Sequence, residues 1–260
     1  MSVTAVLGAK GSPGATTTTL AMARAWRAAT TRTGIAIDLD PFGGDFSAGV
    51  LGGAVPSGFG VLSLATERGL DPAAAVAGAA IEIDGGAASL IPGVPDSARA
   101  GAIPLSWDVV AAALQELSGQ GFDLFLDGGR VDGGPSWPEW LPDVDRALLV
   151  VRPSLPWVSA ARRIARTWPD VPGLQLVVID ASSPYSVDEV VRAVDLPLAG
   201  VVAFDPRAAQ VHSDGVALTR SYRRSAYARS IAQLVRTLDE DLTALRVAPE
   251  PATAFEELDS

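Results

Sequence analysis

The residues best suited to chemistry lie in a glycine-rich segment near the N-terminus, GAKGSPGATTTT, which begins at Gly8. An apolar run precedes it and a helix-like segment follows, so its backbone N–H groups could converge on phosphate oxygens. Thr16 stands where such loops place a hydroxyl on Mg²⁺. The pattern also asks for a lysine just before this threonine, but Ala15 stands there, and Lys10 is the one lysine of the chain. The alternative is a tight strand-to-helix turn, with Thr16 or Thr17 capping the helix.

Two acidic motifs could complete a phosphate and metal site. In the first, Asp38 and Asp40 alternate at the end of an apolar run, which predicts that both face one side of a strand end. Two carboxylates there could orient a water or sit in the outer shell of a metal. In the second, Asp127 ends an apolar run before two glycines, as does the Mg²⁺-holding aspartate of phosphate-loop NTPases. Ordinary turns are the alternative for both motifs.

The elements that would position these residues are predicted by apolar periodicity. Strand-length apolar runs alternate with helix-length amphipathic segments, which predicts a three-layer α/β/α fold with a mostly parallel sheet of about seven to eight strands. Ligands of such sheets bind beyond the carboxyl ends of the strands, where all three motifs would lie. The predicted strands are 3–7, 34–38, 88–91, 122–127, 147–152, 174–179 and 199–204, and the predicted helices are 16–31, 106–118, 158–167, 187–194 and about 220–245.

Composition narrows the class of protein. The 260 residues suit one α/β domain over 1–247, followed by an acidic, disordered tail over 248–260. The absence of cysteine and the single histidine, His212 in a polar loop, exclude a disulfide framework and a conventional His/Cys metal site. No apolar run is long enough to span a bilayer and no export signal is visible, so we expect a cytoplasmic protein. The net charge of −10 argues against a globally basic nucleic-acid binder.

Taken together, the three motifs resemble the MinD/ParA family of deviant phosphate-loop ATPases. The family loop reads K-G-G-x-G-K-T-T, which this chain matches at Lys10, Gly11, Gly14, Thr16 and Thr17. The resemblance extends over about residues 1–240. It implies the P-loop NTPase fold, ATP or ADP with Mg²⁺ as cofactors, and a homodimer.

The resemblance also implies roles for individual residues. Lys10 matches the signature lysine that contacts phosphate across a nucleotide-sandwich dimer, and Asp40 resembles the residue that positions the attacking water. These two are the implied catalytic residues. The implied metal residues are Thr16, Asp38 and Asp127. The implied nucleotide-binding residues are Lys10, Gly11, Ser12, Pro13, Gly14, Ala15, Thr16, Thr17, Asp180, Phe204, Asp205 and Pro206.

Four positions depart from the family pattern. Ala15 removes the cation that bridges the β- and γ-phosphates, so we expect weak or lost ATP hydrolysis, while binding suffers less. Ser12 replaces the second glycine of the loop. Asp180 stands where the family often has an adenine-reading asparagine, and Ala203 where a proline is usual.

Shorter segments resemble the CpaE/TadZ-like branch of the family, which is associated with Tad-type pilus assembly. They are residues 68–72, 91–95, 127–130 and 149–153. The resemblance implies a nucleotide-responsive spatial-organisation protein that localises pilus or secretion machinery through a protein partner. Two alternatives stay open: a ParA-like chromosome or plasmid partitioning ATPase that binds nonspecific DNA, and a pseudo-ATPase scaffold.

One basic cluster bears on these alternatives. Arg220, Arg223, Arg224 and Arg229 lie in the last predicted helix and could contact DNA phosphates, although a solvated helix face is the simpler interpretation. The chain ends in FEELDS, which lacks the basic amphipathic character of a membrane-attaching helix. Direct membrane anchoring by that route is therefore not expected.

Overall fold

The computed structural model describes residues 2–11, 14–55, 59–66, 74, 78–94, 114–115, 117–134, 138, 141–180 and 183–247. Strands and helices alternate through most of this length. The strands are β1 (Val3–Gly8), β2 (Gly34–Asp38), β3 (Ile81–Ile83), β4 (Ala88–Ile91), β5 (Asp123–Arg130), β6 (Arg146–Val151), β7 (Leu174–Asp180) and β8 (Leu198–Ala203). The helices are α1 (Ala15–Thr30), α2 (Asp45–Ala48), α3 (Val61–Thr66), α4 (Leu155–Thr167), α5 (Val187–Val194), α6 (Pro206–Ser213), α7 (Arg220–Arg224) and α8 (Ala226–Val247).

The strands form a single eight-stranded sheet in the order β3-β4-β2-β5-β1-β6-β7-β8. All neighbouring pairs are parallel except β3 and β4, which are antiparallel. The predicted mostly parallel sheet is therefore confirmed. Strand β1 lies at the centre, between β5 and β6, so the glycine-rich loop that follows it emerges in the middle of the carboxyl edge.

Apolar side chains are buried on both faces of the sheet, as its continuous Val, Ile and Leu runs predict. On one face, Leu7 and Leu149 belong to a cluster that also contains Ile164 of α4 and Val190 of α5. On the other face, the cluster joins alternate strand residues to helices α1, α6 and α8, with Trp26, Phe125, Ala208 and Leu234 among its members. The result is the predicted three-layer arrangement, in which α1 packs against the sheet directly after the glycine-rich loop.

A buried polar network fixes the base of the central strands. The carboxylate of Asp123, fully buried at the start of β5, accepts hydrogen bonds from Ser2 Oγ at 3.1 Å, Trp26 Nε1 at 2.6 Å and Arg32 Nε at 2.5 Å. Arg32 also reaches Asp239 of α8 at 2.6 Å. This one carboxylate therefore ties α1, the α1–β2 turn and, through Arg32, α8 to the sheet.

Several element boundaries differ from those expected from the sequence. Strand β5 runs to Arg130 instead of ending at Asp127, and α4 begins at Leu155 because Pro156 is tolerated in the first turn of a helix. The long C-terminal helix is interrupted at Ser225, which has an extended backbone. The Ser225 hydroxyl accepts a hydrogen bond from Ala228 N at 3.0 Å and so caps the start of α8. Helices α2, α3 and α6 and strand β3 were not predicted. The predicted helix 106–118 lies largely, and the predicted tail 248–260 wholly, outside the described residues.

The prediction that His212 lies in a polar loop is wrong. It lies in α6 and is fully buried. Its ring nitrogens lie 3.2 Å from Arg24 Nη1 and 2.7 Å from the Tyr222 hydroxyl. Burial, with a further contribution from Arg24, lowers the pKa of His212 to about 3, so the ring is neutral and acts as a packed polar link between α1 and α7.

Candidate functional site

The three sequence motifs meet at the carboxyl edge of the sheet. Strand β5 pairs with β1 on one side and with β2 on the other, and Asp127 lies opposite Asp38 in the β2–β5 register. The glycine-rich loop follows β1, and Gly8 lies opposite both Arg130 and Val150. Strand topology therefore brings together residues that are far apart in the sequence.

The glycine-rich loop ends at the N-terminus of α1. Gly14 is the N-cap, with φ of 100°, a left-handed conformation that favours glycine. Among the described residues no side chain caps the helix, and the N-cap is Gly14 instead of Thr16 or Thr17. The first-turn N–H groups are thus left for another acceptor. Ser12 and Pro13 lie outside the described residues.

Two cavities adjoin this helix terminus. The first has a volume of about 330 Å³ and is polar; it is lined by Gly14, Ala15, Thr16, Thr17, Asp40, Asp45, Gly129, Arg130 and Arg152. The second has a volume of about 270 Å³ and is mainly apolar; it is lined by Gly14, Thr17, Thr18, Arg152, Ile179, Ala203, Phe204, Asp205, Pro206, Ala209, Ser213 and Tyr227. Both share Gly14, Thr17 and Arg152, so they meet at the start of α1.

Asp127 is the buried acid beneath the polar cavity. Its Oδ1 accepts a hydrogen bond from Gly129 N at 3.0 Å, while Oδ2 is buried and has no hydrogen-bond partner in the described part of the chain. Burial raises the pKa of Asp127 to about 7, against the opposing effects of the Thr16 hydroxyl and the Gly129 N–H. Among the residues that the structure describes, no group of three or more His, Cys, Asp or Glu side chains is arranged to hold a metal.

Asp38 is placed differently from its neighbour in the D-x-D motif. Its Oδ1 accepts from Asp40 N at 3.2 Å and its Oδ2 from Phe46 N at 3.3 Å. A Cβ added at Gly44 would fall 2.3 Å from Oδ2, and one at Gly93 would fall 2.8 Å from Cγ. Burial, and then the negative charge of Asp127, raise the pKa of Asp38 well above its usual value. Asp38 does not line the polar cavity; it anchors the loop that follows β2.

Asp40 does line the polar cavity and is half-buried. Its Oδ1 accepts from Phe42 N at 2.8 Å. Burial raises the pKa of Asp40, and the positive charge of Arg130 acts in the opposite direction. Of the two aspartates expected to share one face, Asp38 is buried in backbone hydrogen bonds and Asp40 lines the polar cavity.

Gly129 allows Asp40 to approach β5. Its φ is 61°, and an added Cβ would lie 2.2 Å from Asp40 Cγ. We expect Gly129→Ala to lower the free energy of unfolding by about 2 kcal/mol or more, because left-handed strain of about 1 kcal/mol adds to this clash. Gly85→Ala is the matched control, since Gly85 has φ of 67° and no atom within 4 Å of an added Cβ. Equal denaturant midpoints for the two variants would contradict this role for Gly129.

The predicted nucleotide-binding residues after β8 line the apolar cavity. Phe204 is 45% exposed there, and Pro206 begins α6 beside it. Asp205 caps α6, its Oδ1 accepting from Ala208 N at 3.0 Å. Asp180, at the end of β7, is exposed and is not among the described residues that line this cavity. Its carbonyl oxygen accepts from Phe204 N at 2.9 Å and so helps to position the phenyl ring.

Lys10 is not among the described residues that line the polar and apolar cavities. It is exposed and lines a third cavity, of about 420 Å³, together with Arg130 and Arg163. The polar cavity is therefore lined by two arginines, Arg130 and Arg152, instead of by the one lysine. Sequence reasoning missed Arg152, because only the β1–β6 pairing shows that the end of β6 flanks the glycine-rich loop.

The fold has counterparts in solved structures. A ParA family ATPase from Chlorobium tepidum TLS aligns with a TM-score of 0.73 and 17% identity, covering 90% of this chain and 98% of that one. This chain has the fold of the ParA and MinD ATPases. Pyrococcus horikoshii MinD, complexed with Mg-ADP, aligns with a TM-score of 0.70 and 18% identity, and the match covers 95% of this chain and 98% of that one. A chain of the Aquifex aeolicus MinC:MinD cell division protein complex aligns with a TM-score of 0.71 and 15% identity, and the match covers 92% of this chain and 96% of that one.

These likenesses are structural and not evident in sequence. No protein-family model and no curated protein sequence matches the chain. The structural neighbours confirm the predicted P-loop NTPase fold, in which a parallel sheet places its ligand site at the carboxyl edge. Among the described residues, no helix is both long and apolar enough to cross a membrane.

Proposed function

We propose that the chain binds an adenine nucleotide with Mg²⁺ across the two joined cavities. The observation that carries this proposal is their continuity around Gly14: a polar cavity at the α1 N-terminus opens into an apolar one beside Phe204. A helix N-terminus with free N–H groups suits a phosphate chain, and an apolar cleft with an aromatic side chain suits a base. The structural neighbour complexed with Mg-ADP supports the same class of ligand.

The residues present fit a magnesium ion. Asp127 offers Oδ2, a buried oxygen with no partner, and the Thr16 hydroxyl is close enough to lower the pKa of that carboxyl. Mg²⁺ is commonly held by one or two such ligands together with substrate phosphates and waters. Thr16 and Asp127 would hold the ion, which supplies positive charge to the phosphate oxygens. Asp38 would contribute by anchoring the loop that presents Asp40.

Ligand-induced stabilisation tests nucleotide binding, because a ligand that binds the native state raises the unfolding temperature. We expect ADP and ATP to raise the Tm when Mg²⁺ is present and to raise it less in EDTA. Adenosine is the control for the phosphate chain. A Tm that neither nucleotide changes at millimolar concentration would contradict the proposal.

Hydrolysis should be slow, because Ala15 supplies no cation to the polar cavity that it lines. We expect Ala15→Lys to raise the rate of ATP turnover by roughly 100-fold, the effect of restoring one electrostatic contact to a transition state. The cavity of about 330 Å³ has room for the added side chain. Phosphate release under single-turnover conditions measures the rate, and Ala15→Met controls for side-chain bulk. Wild-type turnover equal to that of Ala15→Lys would refute the expected loss.

As a cellular role, we propose nucleotide-controlled spatial organisation through a protein partner, of the CpaE/TadZ-like type. The MinC:MinD complex among the structural neighbours supports a protein as the partner class. In a homodimer, the exposed Lys10 would be free to reach a nucleotide held by the second copy. Sedimentation of wild type and Lys10→Ala with and without Mg-ATP tests this point. If the variant dimerises like wild type, Lys10 does not contribute to the interface.

A DNA-partitioning role is the second candidate. It is favoured by one observation: Arg220, Arg223, Arg224 and Arg229 are all exposed on α7 and α8. Nonspecific binding through phosphates would be ATP-dependent and would weaken steeply with salt. DNA binding with both properties would favour partitioning over pilus or secretion machinery, and its absence would favour the reverse.

A further inference from the structure

We propose that Arg152 contacts the phosphate chain of the bound nucleotide and contributes positive charge to its binding, without replacing the catalytic contact that the loop lost at Ala15. This inference deepens the proposed function and rests on it. It assigns to the end of β6 a role that the glycine-rich motif does not contain.

The position of Arg152 follows from strand order. Gly8 of β1 lies opposite Val150 of β6, and Ala9 N donates to the Val150 carbonyl oxygen at 3.2 Å. Two residues beyond that contact, the chain leaves the sheet at Arg152, beside the loop that leads to Gly14. Arg152 consequently lines both the polar and the apolar cavity, as Gly14 and Thr17 also do.

Two aromatic rings hold the guanidinium at this junction. Its Cζ lies 5.3 Å from the centre of the Phe204 ring and 5.5 Å from that of Trp157. Such contacts fix an arginine without consuming its charge or its N–H groups. The Nε atom is buried and has no hydrogen-bond partner among the residues that the structure describes. A buried donor with no partner is costly and points to an acceptor that a ligand would supply.

The charges around the polar cavity also single out Arg152. Arg130, the other arginine there, acts on Asp40 by lowering its pKa, and its Cζ lies 4.9 Å from the Phe42 ring. Within the part of the chain that the structure describes, no carboxylate lies within ion-pair distance of Arg152. Arg130 forms no ion pair at that distance either, but its charge acts on Asp40, so Arg152 is the cavity arginine more available to a ligand. A guanidinium prefers the paired oxygens of a phosphate, which it can contact through two parallel hydrogen bonds.

The test compares nucleotide affinities of three variants. Arg152→Met removes the charge while keeping most of the stem, Arg152→Lys keeps the charge but not the paired donors, and Arg162→Met is the control on the exposed side of α4. We expect Arg152→Met to weaken Mg-ADP and Mg-ATP binding by about tenfold or more, as expected for a lost charge-assisted hydrogen bond. Arg152→Lys should fall between it and wild type, and Arg162→Met should bind as wild type does.

Adenosine and salt separate a phosphate contact from packing against the base. If Arg152 meets phosphate, Arg152→Met leaves adenosine affinity unchanged and makes ADP affinity less dependent on salt. Equal losses for adenosine and ADP, or an unchanged salt dependence, would overturn the proposal in favour of packing on Phe204. If wild type and Arg152→Met bind ADP equally well, the proposed role of Arg152 is contradicted, whereas the proposed nucleotide binding is not. If wild type binds no nucleotide, both the proposed function and the role of Arg152 are contradicted. Circular dichroism and Tm confirm that each variant is folded.

Discussion

Asp123→Ala is expected to lower the free energy of unfolding by about 3 kcal/mol, the scale for removing one partner of a buried ion pair. The carboxylate is fully buried and accepts from Trp26, Arg32 and Ser2. Its removal leaves the Trp26 indole N–H and the Arg32 Nε without their acceptor, although Arg32 keeps its contact with Asp239. Part of the cost is relieved because the Arg32 side chain is 29% exposed and can reach water. Urea denaturation at neutral pH measures the change.

Two variants control this prediction. Asp239→Ala breaks the other ion pair of Arg32, at 2.6 Å, but the Asp239 side chain is 26% exposed, so a loss below about 1 kcal/mol is expected. Asp123→Asn keeps an acceptor for the indole and should fall between the two. If Asp123→Ala and Asp239→Ala destabilise the protein equally, the buried carboxylate is not the anchor described above.

The second large effect concerns Asp127, whose buried position in the site we expect to lower the free energy of unfolding. Because burial raises its pKa to about 7 from 3.8, the charged form is disfavoured in the folded protein. In EDTA at pH 8, Asp127→Asn should therefore raise the free energy of unfolding by on the order of 2 kcal/mol. The same variant should bind Mg-ADP more weakly than wild type, since it loses a charged ligand for the ion.

The pH dependence has a definite sign. Between pH 4 and pH 7 the folded state holds a proton on Asp127 that the unfolded chain has released, so wild-type stability falls as pH rises. The raised pKa of Asp38, to which the Asp127 charge contributes, acts in the same direction. The gain from Asp127→Asn is thus full above pH 7 and disappears near pH 4. A gain that is constant over this range, or that grows toward low pH, would contradict the assignment.

The sequence was a good guide to the fold where elements are buried on both faces. Strands such as β6 and β7 are continuous apolar runs, and each was placed within a residue of its bounds. The short β3 was missed because Ile81 and Ile83 are only partly buried, Glu82 is exposed, and three residues are too few for a strong pattern. Helix α6 was missed because its start is defined by an Asp205 cap and Pro206, which in the sequence resemble an ordinary turn.

The candidate site was predictable in its motifs but not in its charges. The glycine-rich loop, Asp40 and Asp127 could be assigned to one edge because parallel strands end together. That Lys10 lies outside the polar cavity and Arg152 inside it depends on strand order, since β6 is adjacent to β1 although it is far away in the sequence. The enclosure of Asp38 by Gly44 and Gly93 likewise comes from tertiary contacts between distant loops.

The central claim is that this fold holds a nucleotide while turning it over slowly or not at all. Equilibrium dialysis of the protein against labelled ATP with Mg²⁺, followed by chromatography of the bound nucleotide, tests both parts at once. We expect saturable binding, with nucleotide and chain in equal amounts and most of the bound nucleotide recovered as ATP. Recovery of no bound nucleotide would contradict the proposed site, and rapid conversion of the bound ATP to ADP would contradict the loss of hydrolysis at Ala15.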